Sequence, residues 1–210
     1  GYIDGKMCDC HKRLLREISF EKLSEISAIK NSRFDNFSLS FYPDEQDART
    51  GISPRRRMAE ILDYCKCYAD DFSKKSDSIF MYGATGLGKT HLSLAIANEA
   101  IKKGYNVVYG SVINFLNKLE REKFGRADSF ETEDILIGAD LLILDDLGAE
   151  FSTPMAISSL YNIINSRIAR GVPTIISSNL SLEEVKSRYP ESVASRIIGN
   201  YKTVEFDGKD

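Results

Sequence analysis

Two short runs in this 210-residue chain hold residue types and spacings that can handle a chain of phosphates. The first is Gly83-Ala84-Thr85-Gly86-Leu87-Gly88-Lys89-Thr90, a complete G-x-x-x-x-G-K-[ST] pattern. Its glycines permit a tight turn, so successive backbone N–H groups can point inward at phosphate oxygens. Lys89 would reach the β- and γ-phosphates, and the hydroxyl of Thr90 would ligate Mg²⁺. The second run is Asp145-Asp146. Asp145 would hold the Mg²⁺ shell, and Asp146 would orient or deprotonate an attacking water. Asn179 is a third candidate, its amide within range of the γ-phosphate or of that water.

These residues need elements to position them. Ser78–Tyr82 reads as a short apolar strand, and the Ala/Leu-rich run from His91 reads as a helix. Strand, glycine loop and helix form the context that such a loop requires, and the helix dipole adds to anion binding. Leu141–Leu144 is a continuous apolar run, as expected of a strand buried on both faces. Thr174–Ser178 is a further strand that ends at Asn179. Both acidic residues and Asn179 then fall at carboxyl ends of strands, where open α/β sheets bind ligands. Tyr105–Tyr109 and Thr203–Phe206 complete five predicted strands. Helices are predicted from Ser53-Pro54 to about Phe72, over Val112–Lys123, Asp134–Ala139, Pro154–Arg170, after Ser181, and over Pro190–Ile198. The expected fold is α/β, with a parallel sheet flanked by helices.

Composition is ordinary for a water-soluble chain, at 42% apolar and 28% charged residues. The formal charge of −3 gives no bulk attraction to nucleic acid. No apolar run approaches the length of a membrane span, and no secretory core is visible, so a cytoplasmic location is expected. The chain starts at Gly1 and is read as a fragment, with an amino-terminal remnant over 1–30, an aromatic linker over 31–52 and the main domain over 53–210. Cys8, Cys10 and His11 resemble half of a zinc site, but Cys65 and Cys67 lie in a predicted helix at a spacing that does not share a face. No intact zinc site is therefore expected. Arg55-Arg56-Arg57 opposes the dipole at a helix start; it meets a phosphate or an acidic partner, or forms a solvated surface. Arg121, Lys123 and Arg126 give a basic helix–loop that could receive single-stranded nucleic acid. Phe34 and Phe37 either pack over a nucleotide base or cover the domain edge.

Taken together, GATGLGKT, LLILDDLG, ISSNL and SRIIGN resemble the AAA+ ATPase domain of bacterial helicase loaders and their phage and prophage relatives. Insertion-sequence transposition ATPases are a sister group. The resemblance covers about residues 31–207. It implies a P-loop NTPase with a five-stranded parallel sheet, lacking a full carboxy-terminal helical lid. It implies ATP or ADP and Mg²⁺ as cofactors, with a replicative helicase, single-stranded DNA and further copies in a head-to-tail oligomer as partners. By the same resemblance Asn179 takes the sensor 1 position, and Arg196 that of an arginine finger acting on a neighbouring subunit's ATP. The region of residues 111–133 matches the insertion that lies near single-stranded DNA in relatives, and Phe34 and Phe37 match the linker over the nucleotide. The sequence leaves two rivals: a transposition-helper ATPase on duplex DNA, and a nucleotide-binding switch with weak hydrolysis. A small-molecule kinase is disfavoured, because no acceptor-binding constellation is visible.

Overall fold

A computed structural model describes residues 31–46, 51–125 and 132–207, together with Ile29 and the backbone of residues 2–3 and 6–7. The latter four form a minimal antiparallel pair, Tyr2–Ile3 with Lys6–Met7. The main sheet has five strands, β1 (Ser78–Gly83), β2 (Val107–Ser111), β3 (Leu141–Leu147), β4 (Thr174–Ser178) and β5 (Tyr201–Phe206). Their spatial order is β2-β3-β4-β1-β5, and every pairing is parallel.

Among the described residues, α1 (Pro54–Asp70) precedes this sheet and six helices lie between its strands: α2 (Lys89–Lys102), α3 (Val112–Lys123), α4 (Thr132–Gly138), α5 (Pro154–Arg170), α6 (Leu182–Arg188) and α7 (Glu191–Asn200). Alternation along the strands feeds two cores. Ile79, Met81, Leu141 and Ile143 face α1 and α2. Phe80, Leu142 and Leu144 face α3, α5, α6 and α7. The near-continuous apolar strands follow from burial on both faces.

Several predicted boundaries move. The second strand starts at Val107, because Gly104 adopts φ 85° and Tyr105 N–H donates to the Ala100 carbonyl, closing the end of α2. α4 starts at Thr132, whose N–H and hydroxyl donate to the buried Glu122 carboxylate at the end of α3. The last strand begins at Tyr201, paired with Ser78. The three arginines of α1 each find an acidic partner within the chain: Arg55 with Asp44 at 2.9 Å, Arg56 with Glu60 at 3.4 Å and Arg57 with Asp207 at 2.8 Å. Arg55 ties Asp44 to α1 and Arg57 ties Asp207, the residue just after β5, to it, while Arg56 pairs within α1.

Candidate nucleotide site

The glycine loop joins β1 to α2 at the carboxyl edge of the sheet. Gly83 ends β1 at φ 139°, and a Cβ there would lie 2.0 Å from the Phe206 carbonyl oxygen, so β5 can pass this strand end only if residue 83 is glycine. Ala84, Thr85 and Gly86 form the exposed tip, while Leu87 is buried in the core beneath. Gly88, at φ 85°, is the residue on which α2 begins.

The start of α2 differs from those of four other helices. α1, α3, α5 and α6 begin behind Ser53, Ser111, Thr153 and Ser181, each accepting a backbone N–H from the first turn. α2 begins behind a glycine with no side-chain cap, and α7 behind Pro190 likewise has none. At α2 the uncapped start closes the glycine loop, so its first N–H groups and the helix dipole would favour an anion there.

Lys89 lies in this first turn and is buried, its ammonium donating to the carbonyls of Gly83 at 2.7 Å and Ala84 at 2.6 Å. Burial pulls its pKa down, and Asp146 and then Asp145 push it back up. Thr90 Oγ1 donates to Asp145 Oδ1 at 3.1 Å. Asp145 also accepts from the Ser177 hydroxyl, and its Oδ2 accepts from the Tyr109 hydroxyl at 3.0 Å. Asp146, next in the chain, is exposed and holds φ 56°. Partial burial raises its carboxyl above the usual range, the neighbouring Asp145 raises it further, and Lys89 lowers it.

Lys89, Thr90, Asp145 and Asp146 are therefore brought together. Asn179 is not joined to them by a hydrogen bond: it is exposed, one residue beyond β4, and Ser177 is the β4 residue on the aspartates. Arg196 sits on α7, donating to Asn165 Oδ1 at 2.6 Å with its guanidinium 4.8 Å from the Tyr161 ring centre. These contacts hold it against α5, and none is to the glycine loop. Tyr109 and Ser177 were not anticipated, since a tyrosine in an apolar strand reads as core. The only signal for Ser177 was two serines at the end of an apolar run.

The linker closes on the loop from outside. Phe37 packs 5.4 Å from the His91 ring and 6.0 Å from Tyr42. Tyr42 donates to the Leu87 carbonyl at 3.1 Å, and His91 Nε2 donates to the Arg33 carbonyl at 2.9 Å. Arg126 and the pair Cys8 and Cys10 with His11 lie outside the described residues; of the other cysteines, Cys65 is buried and Cys67 exposed.

The sheet order, the glycine loop on a central strand and the aspartates two strands away define a P-loop NTPase of the AAA+ type. Within that class, residues 56–199 match the model of the IstB-like ATP binding protein family, and the chain belongs to that family. The chain is 30% identical over 145 residues to the replicative helicase loader DnaI of Bacillus subtilis (strain 168), covering 67% of this chain and 46% of that protein. Its fold matches the crystal structure of the DnaC helicase loader with TM-score 0.66 at 22% identity, over 83% of this chain and 98% of that one. AMPPCP-bound DnaA from Aquifex aeolicus matches with TM-score 0.65 at 25% identity, over 84% of this chain and 50% of that one. Among the described residues no helix is long and apolar enough to cross a membrane.

Proposed function

We propose that this chain binds and hydrolyses ATP as a helicase loader, helping to deliver a replicative DNA helicase onto single-stranded DNA. The observation that carries the ATP site is the meeting of Thr90 with Asp145 at 3.1 Å beside the buried Lys89, at a helix start with no side-chain cap. Loader activity rests on the similarity to DnaI, of which the chain spans less than half.

The backbone of residues 83–88 would cradle the phosphates, with Lys89 turning from its two carbonyls to the terminal ones. The donor set fits Mg²⁺. One carboxylate, one hydroxyl and phosphate oxygens suffice for that hard cation, whereas among the described residues no three His, Cys, Asp or Glu side chains converge for an all-protein site. Thr90 and Asp145 would hold the ion, which offsets charge on the phosphate oxygens when bound. Asp146, exposed beside it, would orient the attacking water, with Asn179 at the end of the adjacent strand. Arg196 would turn from Asn165 and Tyr161 to a neighbouring copy, where it would stabilise charge on that copy's ATP. Such contacts build a head-to-tail assembly.

The test is ATP hydrolysis against protein concentration, with and without single-stranded DNA, for the chain and for Lys89→Ala and Arg196→Ala. We expect activity to rise faster than linearly, to vanish without Lys89 and to collapse without Arg196. Activity per protomer that is flat with concentration and indifferent to Arg196 and to DNA would sink the loader reading. The IstB-like family match favours a second reading, a transposition helper on duplex DNA. Stimulation by duplex but not by single strands would select it.

A further inference from the structure

Tyr109 is a buried residue of the edge strand β2, in the core shared with α1 and α2. Packing alone would be served by phenylalanine. The hydroxyl changes that, because a buried phenol needs a partner, and the partner here is Asp145. In register, Ser111 is the β2 residue opposite Asp145 and Tyr109 is opposite Ile143. Tyr109 thus lies on the same face as Asp145, one pleat back along the sheet, and its ring spans that distance to place the hydroxyl 3.0 Å from Oδ2.

The carboxylate is consequently held from both ends. Oδ1 accepts from Thr90 and Ser177, and Oδ2 accepts from Tyr109. Donors on Oδ1 alone leave the group free to swing about its Cβ–Cγ bond; a donor on Oδ2 fixes the plane. That plane decides whether Oδ1 stays against the Thr90 hydroxyl, the other group expected to hold the metal. We propose that Tyr109 is a positioning residue that sets the Mg²⁺ affinity of the site by fixing the Asp145 carboxylate. This rests on the nucleotide reading above and adds a residue that touches neither nucleotide nor metal.

The experiment is Mg²⁺-dependent binding of a fluorescent ADP analogue, titrated with MgCl₂ from an EDTA-treated sample, for the wild-type chain and Tyr109→Phe. Losing a hydrogen bond to a charged group predicts that about tenfold more Mg²⁺ is needed at half-saturation. Analogue affinity without Mg²⁺ should stay within about twofold, because the Tyr109 hydroxyl bonds Asp145, the group that would hold the metal rather than the phosphates. In an Asp145→Asn background, Tyr109→Phe should add no further Mg²⁺ shift, since the charge it positions is gone. That pair also separates positioning from packing if Tyr109→Phe lowers the melting temperature. An unchanged Mg²⁺ midpoint in Tyr109→Phe, with a normal Mg²⁺ response in the wild type, overturns this proposal alone. A wild-type chain that does not bind the analogue, or binds it with no Mg²⁺ response, overturns the nucleotide reading and this proposal with it.

Discussion

Arg167 provides the sharpest test of how the sheet is held in place. It is wholly buried, and its guanidinium donates to the carbonyls of Leu136, Ile137 and Ala139 at the end of α4, to the Pro173 carbonyl and to the Thr174 hydroxyl. It thus satisfies helix-end carbonyls that have no partner within α4 and pins them to the start of β4. Burial lowers its pKa to about 10, so it stays charged at neutral pH. Arg167→Met keeps most of the volume and removes every donor. Four of the five hydrogen bonds are fully buried, and each bare acceptor costs about 1–3 kcal/mol, or about 4–12 kcal/mol together. Release of one buried cation from its desolvation penalty returns several kcal/mol. The difference centres on a loss of about 3 kcal/mol, or about 6–12 °C in Tm for a chain of this size. Arg167→Lys should fall between, because one ammonium cannot reach both α4 and Thr174. Urea unfolding followed by far-UV circular dichroism measures this, with nucleotide affinity measured at a temperature where all variants are folded. A loss below about 1 kcal/mol would refute the reasoning. So would a stable variant that no longer binds nucleotide, since Pro173 and Thr174 lie at the amino end of β4, opposite the glycine loop.

Gly88→Ala would set a Cβ 2.7 Å from the Phe37 ring at φ 85°, so we expect a loss of about 1–3 kcal/mol and weakened nucleotide binding. An unchanged urea midpoint would show that the linker does not press on the loop. Burial pushes the Cys65 thiol up to about 12 from 9.0, whereas Cys67 is exposed. Iodoacetamide at pH 8 with peptide mapping should therefore label Cys67 promptly and Cys65 only through unfolding. Equal rates would contradict the packing of α1. The unfolded chain releases the Cys65 proton at lower pH than the folded one, so this contribution to stability is present below pH 9 and declines above it. Cys65→Ala should flatten that alkaline decline in the urea midpoint. At α6, the Ser181 N–H and hydroxyl hold the Glu184 carboxyl below its ordinary value. The stability it contributes is present above the ordinary carboxylate range and is lost as pH falls through the lowered value. Glu184→Gln should therefore remove part of the acid sensitivity in a pH titration of ellipticity.

The sheet and the glycine loop were legible in the sequence because local signals agreed: apolar runs, glycine spacing and a Ser or Thr before most helices. The environment of Asp145 was not, because it depends on which strands lie side by side. Tyr109 is 36 residues from Asp145 in the chain, and Ser177 is 32 residues away. Only the order β2-β3-β4 brings both to one carboxylate. The roles of Arg55 and Arg57 were hidden for the same reason, whereas Arg56 pairs locally with Glu60 four residues on in α1. A basic run reads identically whether it meets solvent, a phosphate or Asp44, Glu60 and Asp207. A cation near a helix C-terminus, like Arg167, is favoured by the dipole in any case, and its burial against α4 appears only once α4 and α5 are packed.

The two aspartates are adjacent in sequence and opposite in circumstance, and the backbone accounts for it. Leu144 pairs with Ile176, but Leu147, three residues on, pairs with Ser178, two residues on. β3 therefore carries one extra residue against β4, a bulge placed at Asp145-Asp146. The extra residue is accommodated by the left-handed backbone of Asp146, and its N–H is satisfied by the Ser177 hydroxyl at 3.2 Å. An aspartate tolerates that conformation better than most residues. Without the bulge, alternation alone would send the second side chain to the opposite face of the sheet from the first. With it, Asp145 stays buried under Thr90, Tyr109 and Ser177, while Asp146 emerges exposed beside Lys89. One carboxylate is thereby fixed and surrounded by donors, and the other is free with a raised pKa. That is the division of labour that a metal-holding group and a water-orienting group would each require.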